Sequence, residues 1–311
     1  MLLGAVALDL AFGDPPNRWH PVAWIGGVIA AGRRRFTEAL TSNIHLVIAG
    51  GGLTVMIAVA AALAAWLIEL LARSIGPAGL ALECVALWTL FSIRGVVRAA
   101  REVGTNLTAG DLAGARAAVG LHLVSRPTAE LHEGQVASAA IESVAENLAD
   151  SVLAPLCFYL AFGLAGAAFY RVINTADAMI GYRVGVLEHF GKVAARIDDV
   201  SNLIPSRLAG LAIALASVRR AHAWRTMWHH ARRTASPNAG WPMAAMAGAL
   251  AVRLEKPGTY ELGQGALPTA ADVERSLAIF ARAAAIGVAL AVFLRGVAQL
   301  LGIMTFIAAT G

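Results

Sequence analysis

Charge is what this sequence has least of. Of its 311 residues only 14% are charged, against 58% hydrophobic with the 31 glycines left out of that figure. Soluble domains are about a quarter charged. So little polarity excludes a disordered chain and a coiled coil, and so much apolar surface cannot hide in one water-soluble core. Cysteine is almost as scarce. Cys84 and Cys157 both lie in apolar segments, and no CxxC or Cys/His spacing exists, which excludes a disulfide scaffold and a thiolate metal site. Period-two alternation is missing, so a membrane β-barrel is excluded. A repeat of fixed period is missing too, which argues against an inverted-repeat transporter. The nearest approach to a Walker A loop, GVLEHFGKV, ends in Val193 rather than Ser or Thr. The N-terminus does not read as a signal peptide, because it lacks a basic start and Asp9 interrupts its apolar run.

What is present is an all-α, polytopic integral membrane protein read as a single integrated domain, and the mean hydropathy of +0.65 agrees. About 20 apolar residues cross the hydrocarbon. Leu46–Ile68 does so without any charge, and Ser74–Ile93 follows closely enough for an antiparallel hairpin. Ser151–Tyr170 and Ala283–Ile307 are further candidates, and Glu83 and Arg295 are the ionisable residues inside spans. Polar regions at 94–150, 171–202 and 219–282 separate these segments and hold most of the charge. The net charge of +5 then reads as cytoplasmic arginine under the positive-inside rule, not as a nucleic-acid surface. Arg219–Arg233, with Trp224 and Trp228 among Arg and His, predicts an interfacial helix on an anionic leaflet.

The densest polar signal is AAIESVAENLADSVLAPL. Glu142, Glu146 and Asp150 recur every four residues, with Ser143 and Asn147 on the flanking arc. Three carboxylates on one helical face repel unless a cation lies between them, and no Lys is interspersed. A second cluster sets Asn174 and Asp177 one turn apart. A third crowds Arg196, Asp198, Asp199, Asn202 and Arg207 beside the membrane. Paired carboxylates beside Asn and Arg suit a hydrated Mg²⁺ carrying phosphate oxygens. Membrane-adjacent charge also suits structural salt bridges, so both readings stand at this point. Two turns complete the set: FGDPPNRWHPVAWIG with Asp14 and His20, and SPNAGWPMAAMAGAL with Ser236 and Asn238 placed to cap a helix.

Five blocks, LDLAFGDPP…HPVAWIG, AAIESVAENLADSVLAPL, VINTADAMIGYR, ARIDDVSNLIPSRL and SPNAGWPMAAMAGAL, in this order from Leu8 to Leu250, resemble the CobD/CbiB family, the adenosylcobinamide-phosphate synthases of cobalamin biosynthesis. One departure is SRPT at Ser125–Thr128, where Pro127 stands in place of the family's Asp while Arg126 and Thr128 fit. The resemblance implies a multi-pass cell-membrane enzyme, its site facing the cytoplasm. Such an enzyme joins (R)-1-amino-2-propanol or its O-phosphate to adenosylcobyric acid at the expense of ATP with Mg²⁺, the corrinoid being substrate. In that light Glu142, Glu146, Asp150, Asn174 and Asp177 are the candidate catalytic residues and Asp198 and Asp199 the metal ligands. Asp14, His20, Arg126, Asn147, Arg196, Asn202, Arg207, Ser236 and Asn238 are the candidates for substrate or phosphate. Other partners implied are the bilayer, further corrinoid enzymes or a second copy of the chain. DDVSN also resembles membrane prenyltransferase motifs and DLAGAR faintly the phosphotransferases, while a corrinoid permease or scaffold is the non-enzymatic alternative.

Topology constrains the reading. With Arg33–Arg35 cytoplasmic, a full crossing at Ser151–Tyr170 would put Asn174–Asp199 outside, away from the Glu-rich helix. Pro155 and the Gly163–Gly166 stretch break that segment, so a re-entrant hairpin is expected to keep the acidic clusters on one side.

Overall fold

The structure, a computed structural model, describes residues 1–301; positions 302–307 of the expected last span lie outside them. Helices α1 (Leu2–Phe12) and α2 (Pro21–Ala39) precede a long apolar helix, α3 (Asn43–Ser74). Then come α4 (Pro77–Trp88), α5 (Arg94–Thr108), α6 (Leu112–His122) and α7 (Glu133–Leu148). A π-helical turn, Ala149–Leu153, joins α7 to α8 (Ala154–Ile180). The chain continues through α9 (Leu187–Phe190), α10 (Lys192–Ser201), α11 (Leu203–Ala216), α12 (Arg220–His230) and α13 (Gly240–Leu250). It ends in a small antiparallel hairpin, β1 (Arg253–Lys256) and β2 (Tyr260–Gly263), and α14 (Ala270–Leu300). Among the described residues the fold is thus helical except for one two-stranded ribbon, a small exception to the all-α expectation.

Among the described residues, three helical stretches are long and apolar enough to cross a bilayer: Asn43–Ser74, Glu133–Ile180 and Ala270–Leu300. The expected span at Ser74–Ile93 shortens to the 12 residues of α4, about 18 Å of helix, too little to span. It still folds back on α3, as the short connection requires.

The middle stretch is not a rod. At Phe162 and Gly163 the backbone leaves the helix, and Gly163 takes φ 67°, ψ −158°, a conformation open essentially to glycine. Beyond it the chain doubles back, so that the rings of Phe158 and Tyr170 stack with centroids 5.0 Å apart. Along a straight helix those residues would be separated by about 18 Å. The bend is held by Glu69 of α3, whose Oε1 accepts the Leu164 N–H at 3.0 Å. Nearby, Tyr159 donates to Glu83 at 3.0 Å while the Arg295 guanidinium lies 4.8 Å above the Tyr159 ring. The two ionisable residues that the sequence left inside spans therefore meet on one tyrosine.

α7 forms the centre of the packing. From Val136 to Ala145 every residue is buried, and its alanines and serines admit α5, α13, α14 and β1 at close range. Its start is fixed by a capping box between His132 and Gln135. Pro155 lacks an N–H and frees the Ser151 carbonyl one turn back; the Ser92 N–H donates to it at 3.0 Å. α10 is seated against the end of α8 by Gly191, where a Cβ would fall 1.7 Å from the Ile180 carbonyl oxygen.

Candidate active site

The doubled-back helix decides which residues meet. Its first arm carries Glu142, Glu146 and Asp150, its second Asn174 and Asp177, and the bend brings the two faces onto one cavity of about 540 Å³. A neighbouring cavity of about 350 Å³ shares Glu146, Asp150 and Asp177 and adds Asp198, Asp199, Asn202, Ser236 and Asn238. Together these walls hold six carboxylates and the cations Arg126, Arg183 and Lys256. On a straight helix Asp150 and Asp177 would be about 40 Å apart.

The carboxylates are not equivalent. Glu142 is only 5% exposed, and its oxygens accept from Ser138 at 2.9 Å and Tyr260 at 3.1 Å, with Arg126 at 3.6 Å. It is occupied by the protein itself and works as an anchor. Burial beside Glu142 pushes the Tyr260 phenol above its ordinary value, so it stays a donor. Glu146, Asp150 and Asp177 accept no hydrogen bond among the described residues and remain available to a ligand. Asp198 receives the Asn202 amide at 3.0 Å, yet its Oδ1 is buried without a partner. Burial raises Asp198 to about 6; the Asn202 and Asn174 amides oppose this, and Asp199 reinforces it.

Among the described residues, no three His, Cys, Asp or Glu side chains form a ready-made metal cluster. Mg²⁺ does not need one, since it keeps most of its waters and takes one or two carboxylates. The orphaned Oδ1 of Asp198 across from Glu146 and Asp150 fits such an ion. Asp199 fits it less well, because it is turned to Arg196 at 3.5 Å, about 100° around α10 from Asp198.

Other candidates are distributed more widely. Arg126 lines the larger cavity with Nε and Nη2 buried and without hydrogen-bond partners, and Thr128 fixes its loop by donating to the Arg116 carbonyl at 2.9 Å. Asn147 bridges the π turn, donating to the Ser143 carbonyl and accepting from Ser151 at 2.8 Å. Ser236 accepts the N–H groups of Asn238 and Ala239, and Asn238 donates to the Asp199 carbonyl at 2.7 Å, so this pair ties α13 to α10. Arg207 lies outside the cavities, 4.7 Å over the Trp241 ring and bonded to Asn238 at 3.3 Å. Arg196 stands on an outer pocket with Lys192 and Glu188. Asp14 and His20 line a separate chamber beyond Asn147.

A family model described as CobD/Cbib protein matches residues 2–304. The chain belongs to this family. It is 42% identical over 306 residues to the cobalamin biosynthesis protein CobD of Rhodobacter capsulatus, covering 92% of this chain and 93% of that protein. A probable cobalamin biosynthesis protein CobD of Methanothermobacter thermautotrophicus is 42% identical over 267 residues, covering 85% and 86%. The Klebsiella pneumoniae CobD protein is 37% identical, covering 88% and 86%. No solved structure matches. In this member, three wall residues escaped the sequence reading: Lys256, Tyr260 and Arg183. Lys256 had one available signal, being one of only two lysines among 25 basic residues. The ribbon that carries it is tied to α7, as the Glu255 N–H donates to Ser138 at 2.7 Å and Gln135 donates to Glu255 at 2.9 Å.

Proposed function

We propose that this membrane protein of cobalamin biosynthesis is the ligase that joins aminopropanol, or its O-phosphate, to a propionate carboxylate of adenosylcobyric acid using ATP. The observation that carries this reading is the cavity between the hairpin arms, where unengaged carboxylates face the Arg126 guanidinium, ion-paired to Glu142 but with Nε and Nη2 free of hydrogen bonds. Amide formation asks for both. The propionate oxygen attacks the γ-phosphorus of ATP, giving an acyl phosphate and ADP. The amine then attacks the acyl carbon, the bond to phosphate breaks, and a proton leaves the nitrogen.

Arg126 and Lys256 suit the propionate and its phosphorylated form, the planar guanidinium by two parallel hydrogen bonds and the ammonium as a point charge. Glu146 and Asp177 hold the aminopropanol ammonium and accept its proton. Asp198, with Asp150 or Glu146 opposite, would hold Mg²⁺. That ion supplies charge neutralisation of the transferring phosphoryl group. Glu142 keeps Arg126 and Tyr260 in place. The cavity accommodates one drug-sized group, so the corrin ring stays at its mouth.

The test is ATP-dependent condensation of adenosylcobyric acid with the amine in purified membranes, read by mass. Product is expected from the natural chain and none from Glu146→Gln or Asp198→Asn. Turnover in both variants would defeat the site; no product from the natural chain would defeat the reaction. ATP is cytoplasmic, so in an inner-membrane setting Ser125→Cys and Tyr182→Cys should both react with impermeant maleimide from the cytoplasmic side only.

A further inference from the structure

The chamber beyond Asn147 differs in character from the acidic cavities. It has a volume of about 470 Å³ and is walled by the turn before α2, by α5 and α6, and by both hairpin arms. Leu123 and Asn147 line both it and the larger acidic cavity, so the two adjoin. Its ionisable residues are Asp14, Glu102, Arg98, Arg171, His20 and His122. Both acids are already engaged: Asp14 accepts the Ser92 hydroxyl at 3.0 Å, and Glu102 faces His122 at 3.6 Å.

His122 is taken up by Glu102, but Arg171, Arg98 and His20 form no ion pair among the described residues. Arg171 has a buried Nε without a partner, and its one side-chain hydrogen bond is a 3.5 Å contact to Asn174 Oδ1. His20 accepts the Val22 N–H on Nδ1 at 3.2 Å, and burial holds its imidazole below the ordinary value, so Nε2 carries the proton as a donor. The 19-residue helix α2 also starts at this wall and turns the positive end of its dipole toward it, although its first N–H groups are taken up by His20. A buried guanidinium with unused donors is costly unless something occupies them.

We infer that this chamber binds a phosphoryl anion, held by Arg171 and Arg98 with His20 Nε2–H, and presents it past Asn147 to the carboxylate cavity. The idea deepens the ligase reading and rests on it for its purpose. It replaces Arg196 and Arg207, which the fold engages elsewhere, as the phosphate contacts. Two phosphoryl groups share the required chemistry: the polyphosphate of the nucleotide and the monoester of aminopropanol O-phosphate.

Binding is measured first without turnover, by calorimetry of the detergent-purified full chain with pyrophosphate. Arg171→Lys keeps the charge but loses the fork, and Arg98→Ala removes an exposed side chain that forms no ion pair among the described residues. Each should weaken binding about tenfold to a hundredfold, the range for a lost charge-assisted contact. Steady-state kinetics then identify the source. A rise confined to the KM for ATP assigns the chamber to the nucleotide. A selective rise for aminopropanol O-phosphate over the free amine assigns it to the monoester. Pyrophosphate affinity within twofold of the natural chain in both variants overturns the site. Pyrophosphate binding by a chain that cannot ligate would defeat the ligase reading alone.

Discussion

Two groups of ionisable side chains gather at opposite ends of the α7–α8 hairpin, and the fold treats them in opposite ways. At the bend, Glu69 accepts a backbone N–H, Glu83 accepts the Tyr159 hydroxyl, and Arg295 covers the Tyr159 ring. At the open end, Glu146, Asp150 and Asp177 face one another around a cavity, and Asp198 leaves one oxygen unpartnered. Ionisable groups in a membrane are retained for function by default, but the bend shows that satisfied ones are joinery. Among the carboxylates, what separates a site from a joint here is unspent hydrogen-bonding capacity beside a cavity, not charge; Arg295 also leaves Nη1 buried without a partner, but against the Tyr159 ring.

The strongest way to break that distinction is to neutralise the open end. Asp198→Asn should lower condensation by about a hundredfold or more, the scale of a lost acid–base or electrostatic group. The same change should raise thermal stability by about 1 kcal/mol, because like charges are relieved at a functional site. Loss of stability alongside activity would mean that the acids are structural after all.

The bend should respond in reverse. Gly163→Ala places a Cβ 2.6 Å from Glu69 Oε1 at positive φ, so destabilisation of about 1–3 kcal/mol is expected in thermal unfolding. Activity should fall with it, since the bend alone brings Asp177 to Asp150. Tyr159→Phe is milder. It strips Glu83 of its donor at a cost of about 1–3 kcal/mol but should leave the KM for every substrate within about twofold. A marked KM change would place the bend cluster inside the functional machinery.

The smallest effect tests the ribbon that supplies Lys256. His230 accepts the Gly263 N–H on Nδ1 at 2.8 Å, and burial, with Arg233 and His229 nearby, lowers its proton affinity. Its folded value lies below the unfolded 6.5, so the unfolded chain binds more protons in that interval. Stability should therefore fall as pH drops through 6.5 toward the lowered value, by under about 1 kcal/mol. His230→Gln should abolish that slope in pH-dependent melting curves.

Much of this was legible in the residues. The 3.6-residue period marked Glu142, Glu146 and Asp150 as one face, and the ordered blocks carried the family resemblance. Pro155 and the glycines at 163 and 166 announced a break. Other features were not legible, for identifiable reasons. Glu142 and Glu146 look alike in sequence, yet only Glu142 accepts a hydrogen bond from the ribbon, from Tyr260 of β2, 118 residues away in the chain. Arg207 seemed a phosphate contact, but Trp241 and Asn238 occupy it, and no local pattern records such a pairing.

Sequence by itself determined that this chain lives in a membrane, is helical, and concentrates its scarce acids in three short blocks. Those properties follow from composition and local periodicity, which hydrophobic partitioning and backbone hydrogen bonding translate directly into helices. Only the tertiary structure decided that the blocks converge, which acids remain free, and that guanidinium groups gather in a chamber next door. Convergence depends on one glycine reversing a helix and on side chains meeting across the fold, and such contacts are set by packing rather than by spacing along the chain.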